Sequence, residues 1–237
     1  MTYHIFIASC VEVIHTNLPR IIKNLEKLNL KNIHIVIGGC DEESVETNGN
    51  IELIKVKYRC FEFTPFIYLC KNVDKYDFEY AFFTHDTVTF GPMFESLLQQ
   101  KIKYLQDNSY ECIRIENNLP SMNIGIYSKE CILRNANTLS NICLYTNNDV
   151  DLMNMKRTLQ GYEDFIFHSS SCAPSKEAHT SDTAVQMEYV KNAEYQECHK
   201  RYFAHFDFTK YQTNYFKICS INCPVIPEED INNIQKI

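Results

Sequence analysis

The sequence predicts an α/β fold in which a mostly parallel central sheet is flanked by helices and followed by an irregular C-terminal region. Three observations predict it. Over the first hundred residues, short apolar runs alternate with amphipathic stretches, the pattern of βαβ units. The chain has 237 residues, 45% of them hydrophobic, with both signs of charge spread along it, enough to bury a sizeable core. From about residue 140 onward the sequence is rich in Asn, Ser, Tyr and His, and the clean periods fade.

The elements follow in order. His4 to Ala8 is a short apolar run suited to a strand buried on both faces. Asn17 offers a helix cap and Pro19 suits a first turn, after which Leu18, Ile21, Ile22, Leu25 and Leu28 recur at helical spacing. Ile33 to Ile37 reads as a second strand, stopping at Gly38-Gly39-Cys40-Asp41, where paired glycines permit a tight turn or the close approach of a ligand. Ile51 to Tyr58 alternates as a third strand, Phe66 to Val73 reads as a helix after Pro65, and Phe78 to Thr84 is an apolar run of strand length, central in the sheet. A helix runs from beyond Gly91-Pro92 to about Gln106, and Cys112 to Ile115 forms a further strand. Helices are predicted near 150–158 and 162–168. Without long repeats or a clear linker, residues 1–237 read as a single domain, divided functionally at about residue 90.

Composition excludes some functions. The net charge of -7, with no long basic run, argues against nucleic acid or an anionic membrane as partner. No apolar stretch reaches the length of a membrane span, and Met1-Thr2-Tyr3-His4 lacks the features of a signal peptide, so the expected location is cytoplasmic. Eleven cysteines, mostly within apolar segments and odd in number, read as small hydrophobes in a reducing compartment. A zinc site from Cys198, His199, Cys219 and Cys223 matches no common ligand spacing.

In open parallel sheets, ligands bind beyond the carboxyl ends of the strands. Ser9-Cys10, Gly38 to Asp41 and His85-Asp86-Thr87 all fall there. A carboxylate rigidly held at a strand end can share Mg2+ or Mn2+ with a diphosphate, because one or two carboxylates plus phosphate oxygens fill the octahedron. An aspartate there also commonly caps the next turn.

The order of these segments, from the strand at residue 4 through Ile35-Val36-Ile37-Gly38-Gly39 to Tyr80–Thr87 and Gly91-Pro92, resembles the nucleotide-sugar half of GT-A-fold glycosyltransferases, in particular small enzymes of bacteria and large DNA viruses. The resemblance implies a GT-A-like, Rossmann-like fold, with residues up to about 90 holding the nucleotide and 91–237 building sugar and acceptor pockets. It also implies that Asp86 holds Mn2+ or Mg2+ on the donor diphosphate, with His85 and Thr87 as supporting contacts. Where the family carries Asp-x-Asp, this chain reads His85-Asp86-Thr87 and keeps one aspartate.

Ser121 to Ser128 is similar to the family's donor-sugar segment, which implies donor contacts for Asn123 and Gly125; a turn before a strand is the plainer reading. Gly161-Tyr162-Glu163-Asp164-Phe165 resembles the Glu-Asp motif at a helix start that meets the acceptor in inverting members. It implies Asp164 as general base and Glu163 as acceptor ligand. Helical phase, with Tyr162, Phe165 and Ile166 inward, places Glu163 nearer the core, and helix-dipole stabilisation alone would also favour acids here. In the aromatic stretch 202–211, His205 is implied as a metal ligand and Lys210 as a phosphate contact; aromatic core with solvated charges is the alternative.

Together these expectations describe transfer of a hexose or deoxyhexose from a UDP- or GDP-linked donor to a glycan hydroxyl, assisted by Mn2+ or Mg2+ and with inversion. Two other readings stay open. A Rossmann-like methyltransferase would use the same strand ends but calls for a glycine-rich loop after the first strand, and Ala8-Ser9-Cys10-Val11-Glu12 has no glycine. A glycan-binding protein that has lost catalysis would account for the missing second aspartate.

Overall fold

In a computed structural model, residues 2–28, 30–115, 122–146, 152–174 and 208–210 are described. Three strands of the sheet start from the apolar runs identified above: β1 (Tyr3–Cys10), β2 (Ile33–Gly38) and β5 (Tyr80–His85). β1 pairs in parallel with β2 on one side and with β5 on the other. A fourth strand, β4 (Ile51–Val56), lies parallel to β2. The run 4–2–1–5 is compatible with a Rossmann-like arrangement.

The sheet is not mostly parallel. Seven strands lie in the order β3-β4-β2-β1-β5-β8-β7, and β3 (Ser44–Asn48), β7 (Cys112–Arg114) and β8 (Gly125–Ser128) enter through antiparallel pairs. The physical reason at β3 is loop length, because two residues, Gly49 and Asn50, join it to β4, and so short a connection can only form a hairpin. Gly49 takes φ +60°, a left-handed conformation that suits glycine.

Both faces of the sheet are covered. Along β1, Ile5 and Ile7 point into one core layer with Ile21 and Leu25 of α1 (Ile14–Leu28) and Leu98 and Ile102 of α3 (Phe94–Asp107). Phe6 points into the opposite layer, shared with Phe66 and Ile67 of α2 (Thr64–Lys71) and Ile132 and Leu139 of α4 (Lys129–Thr146). Phe66 stacks on Phe83 of β5 with centroids 3.6 Å apart. The period-two alternation of burial thus explains why these strands read as unbroken apolar runs.

Helix α1 begins at Ile14, so Asn17 is not its cap and Pro19 lies in its second turn. The backbone N–H of Asn17 already donates to Val13 O at 2.9 Å, which commits the residue to the helix, and its side chain is buried. The strand predicted over 51–58 ends at Val56, and the helix predicted over 66–73 spans Thr64–Lys71. The helices expected near 150–158 and 162–168 are α5 (Leu152–Gln160) and a turn leading into the single-turn α6 (Phe165–His168), where Ile166 is buried but Tyr162, Glu163, Asp164 and Phe165 are all half-buried.

A second, two-stranded sheet pairs β6 (Val88–Phe90) with β9 (Phe208–Lys210) in antiparallel register, Val88 opposite Lys210. Asp86 and Thr87 form the turn between β5 and β6, so the second sheet begins where the candidate motif ends.

Candidate functional site

The chain places β2 and β4 on one side of β1 and β5 on the other. The carboxyl ends of β1 and β5 therefore flank the point where strand order reverses, and adjacent loops diverge there to leave a crevice. A recess at this point is lined by Ala8, Ser9, Cys10, Phe61, Glu62, His85 and Asp86, and its volume of about 20 Å³ holds about one water or bare cation.

Asp86 is held from several directions. Its backbone N–H donates to Ala8 O at 2.9 Å, continuing the β1–β5 ladder, and Ser9 Oγ donates to its Oδ2 at 2.7 Å. Only 2% of the residue is exposed. Burial lifts its carboxyl to about 6, while the Ser9 hydroxyl, the nearby Asn17 amide and the Arg20 guanidinium pull it back towards the ionised form. The Asn17 amide stands close enough to favour the carboxylate, although its Nδ2 closes no hydrogen bond with a described residue.

The polar side of α1 clamps the turn that carries Asp86. Arg20 donates to the backbone carbonyl of Asp86 and, at 2.8 Å each, to Val88 O and Thr89 Oγ1. Asn24 brackets Phe90, its Nδ2 donating to Phe90 O at 2.9 Å and its Oδ1 accepting from Phe90 N at 2.7 Å. Asn17, Arg20 and Asn24 fall on one helical face at spacings of three and four. This face fixes the backbone of residues 86–90, and with it the position of the carboxylate.

The second wall of the recess comes from the 3-10 turn Phe61–Phe63 before α2. Glu62 is buried there, and Asn123 Nδ2 approaches its Oε1 at 3.4 Å. Met122 N in turn donates to Glu163 O at 2.7 Å. Glu62 therefore joins the strand-end motif to Asn123, and the neighbouring Met122 joins that segment to the backbone of Glu163.

The remaining candidates are placed as follows. Cys10 and Thr87 are buried, the first in the recess and the second in the turn beside Asp86. Gly39 adopts φ +81°, which favours glycine, and a Cβ there would come within 3.0 Å of Arg59 Nε. Arg59 pairs with Glu12, two residues beyond the end of β1. Asp41 is exposed in the bend after β2.

Gly125 is explained by packing: a Cβ would lie 2.7 Å from the Tyr127 hydroxyl and 2.8 Å from Ile113 O. Asp164 precedes α6 without a side-chain capping bond, and its carboxylate meets His168 Nε2 at 3.4 Å at the surface. Lys210 reaches this neighbourhood through its backbone, opposite Val88 and two residues along from Asp86. His205, Ser121, and the cysteines and histidine at 198, 199, 219 and 223 lie outside the described residues.

Sequence reasoning missed Glu12, Asn17, Arg20, Arg59 and Glu62. Only the 17–20–24 spacing carried a signal, and on its own that spacing marks any solvated helix face.

The fit of a divalent cation can be judged from the recess itself. Asp86, Glu62 and His85 are among the residues lining a space of one ion's size, and they carry carboxylate and imidazole groups of the kind that take Mg2+ or Mn2+ together with phosphate oxygens. Among the described residues no group of three His, Cys, Asp or Glu side chains is close enough to hold a metal ion alone, so ligand oxygens would complete the shell. Among the described residues, no helix is long and apolar enough to cross a membrane.

Comparison with known proteins finds no matching family model and no matching curated protein.

Proposed function

We propose that the protein is a glycosyltransferase of GT-A-like fold that binds a sugar nucleotide across the carboxyl ends of β1, β2 and β5. The observation that carries this reading is the recess lined by His85, Asp86 and Glu62 at the switch point, with Asn123 bonded to Glu62 and Met122 N bonded to the Glu163 carbonyl, in the chain order seen in such enzymes. No single residue among them is specific.

In this reading Asp86 and Glu62 would hold Mg2+ or Mn2+, which neutralises charge developing on the leaving diphosphate. The chain's own groups do the rest. Ser9 and the α1 face keep the Asp86 carboxylate fixed, so little reorganisation accompanies transfer. Gly39 and the Arg59–Glu12 pair are assigned to the nucleotide side. Asn123, with an amide that both donates and accepts, faces the donor sugar. Asp164 takes the proton from the acceptor hydroxyl, with Glu163 orienting the acceptor. Lys210, carried back by β9, is the cation assigned to the diphosphate.

A second reading is favoured by one observation: Asp86 is 98% enclosed and already bonded to Ser9, as a purely structural carboxylate would be. A non-catalytic glycan binder would look the same at that residue.

A thermal-shift panel of UDP- and GDP-sugars with Mn2+, set against S-adenosylmethionine, tests the proposal. Stabilisation by one sugar nucleotide, followed by its hydrolysis or transfer, supports it. Stabilisation by S-adenosylmethionine alone overturns it, and sugar-nucleotide binding without turnover points to the glycan binder.

A further inference from the structure

Three thiols meet where β7, α4 and the segment 169–174 join. Cys112 in β7 is fully buried, and Cys172 lies beside it in an isolated parallel bridge. The backbones are tied on both sides of that bridge: Ala173 N donates to Cys112 O at 2.8 Å and Glu111 N to Ser171 O at 2.8 Å. Directly bridged strands run about 4.8 Å apart, within the range of Cα separations that disulfides span. Both side chains pack into the same core layer.

Cys131, buried in the first turn of α4, completes the group. The Cys112 thiol is within hydrogen-bond reach of both Cys131 and Cys172, and Cys131 Sγ lies 3.1 Å from Ser170 Oγ. All three cysteines are reduced.

Their environments differ in a way that assigns roles. Cys172 alone of the three is half-exposed, so an oxidant reaches it first. The neighbouring Cys112 thiol, aided by Arg114, draws its thiol below the ordinary cysteine value against the opposing effect of burial, and so favours the thiolate. Cys112, enclosed and adjacent, is placed to resolve whatever forms on Cys172.

We propose that Cys172 and Cys112 form an oxidisable pair, with Cys172 the peroxide-reactive thiol and Cys112 the resolving thiol. The Cys172 thiolate attacks one oxygen of hydrogen peroxide; an S–O bond forms, the O–O bond breaks, and the departing hydroxide takes up a proton to leave as water. The Cys112 sulfur then attacks the Cys172 sulfenic acid. An S–S bond forms, the S–O bond breaks, and the hydroxyl leaves with the Cys112 proton as a second water. Two thiols are oxidised by two electrons in all, and one peroxide is reduced to two waters. The product staples the segment that follows α6 onto the edge strand β7.

The test is peptide mapping of the full-length protein after brief hydrogen peroxide treatment and alkylation in denaturant. The expected result is a peptide pair linked through Cys112 and Cys172, abolished by dithiothreitol, lost in Cys172→Ser and retained in Cys131→Ser. In Cys112→Ser, dimedone should label Cys172. If that variant does not fold, loss of the link in Cys172→Ser with Cys112 left reduced gives the same answer. A link from Cys112 to Cys131, a link from Cys172 to any other cysteine, or oxidation elsewhere with Cys172 untouched overturns the proposal.

Discussion

Ser9 and Asp86 stand one step beyond the paired residues Ala8 and His85, and the 2.7 Å hydrogen bond from Ser9 Oγ to Asp86 Oδ2 ties the carboxyl end of β1 to that of β5. A buried carboxylate that loses a donor keeps its desolvation cost without the compensation. Ser9→Ala should therefore destabilise the fold by about 1–3 kcal/mol, the cost of a buried charged group losing a partner. Urea denaturation at neutral pH measures it.

Arg20 spans Asp86, Val88 and Thr89, three acceptors on one turn. Arg20→Met keeps much of the side-chain volume but strips those acceptors of their donor beside a buried carboxylate. A loss of about 2–4 kcal/mol is expected from the unpaired groups. Hydrogen exchange should show residues 86–90 loosening before the rest of β5.

Gly125 separates packing from ligand contact. Gly125→Ala forces a methyl against the Tyr127 hydroxyl and the Ile113 carbonyl, and one of those contacts is with backbone that cannot swing away. Overpacking of this kind costs about 1–3 kcal/mol. A lowered melting temperature with donor affinity preserved in the folded fraction is the expected pattern.

At the opposite end of the sheet, His4, His34, Glu52, Tyr76 and Tyr68 form a buried chain of hydrogen bonds. His34 Nδ1 lies 2.7 Å from Glu52 Oε2, His4 Nδ1 lies 2.8 Å from His34 Nε2, and the Tyr76 hydroxyl donates to Glu52 at 2.9 Å. Because the carboxylate only accepts, His34 Nδ1 carries the proton, which leaves Nε2 to accept from His4. Burial and the neighbouring His34 lower His4 to about 4, and burial lowers His34 as well. The folded state thus favours neutral rings, so their contribution to stability is full above the ordinary histidine value of 6.5 and is lost as pH falls towards 4. Asp86, raised to about 6, acts in the opposite direction over the same range. His4→Gln should flatten the acid side of the stability–pH profile measured by denaturant titration.

Much of the fold was legible because the strands that form its centre are buried on both faces and read as continuous apolar runs. Ile5 to Ala8, Ile33 to Ile37 and Tyr80 to Thr84 need no partner to be recognised. β3 was not legible, since Ser44–Asn48 is an exposed edge strand whose apolar residue, Val45, faces outward. Nor was α4, which leaves β8 with no glycine or proline between them; Ser128 Oγ, accepting from Cys131 N at 3.1 Å, marks its start instead.

The candidate site divides similarly. Ser9, His85 and Asp86 follow from strand ends alone. Glu62 does not, because a glutamate between two phenylalanines gains its place only when the turn before α2 folds over β1. The β6–β9 pairing joins segments more than a hundred residues apart, and no local pattern in Val88–Phe90 or Phe208–Lys210 announces it.

The central claim is that Asp86 serves a sugar nucleotide and its metal as well as the turn it closes. Calorimetric titration of UDP- and GDP-sugars, with Mn2+ and then with EDTA, into the wild type and Asp86→Asn tests it most directly, with melting temperature as the check on folding. The account predicts binding at least about tenfold weaker, a loss of about 1.4 kcal/mol or more, both in EDTA and in the folded variant. Undiminished metal-dependent binding by a folded Asp86→Asn protein would contradict it.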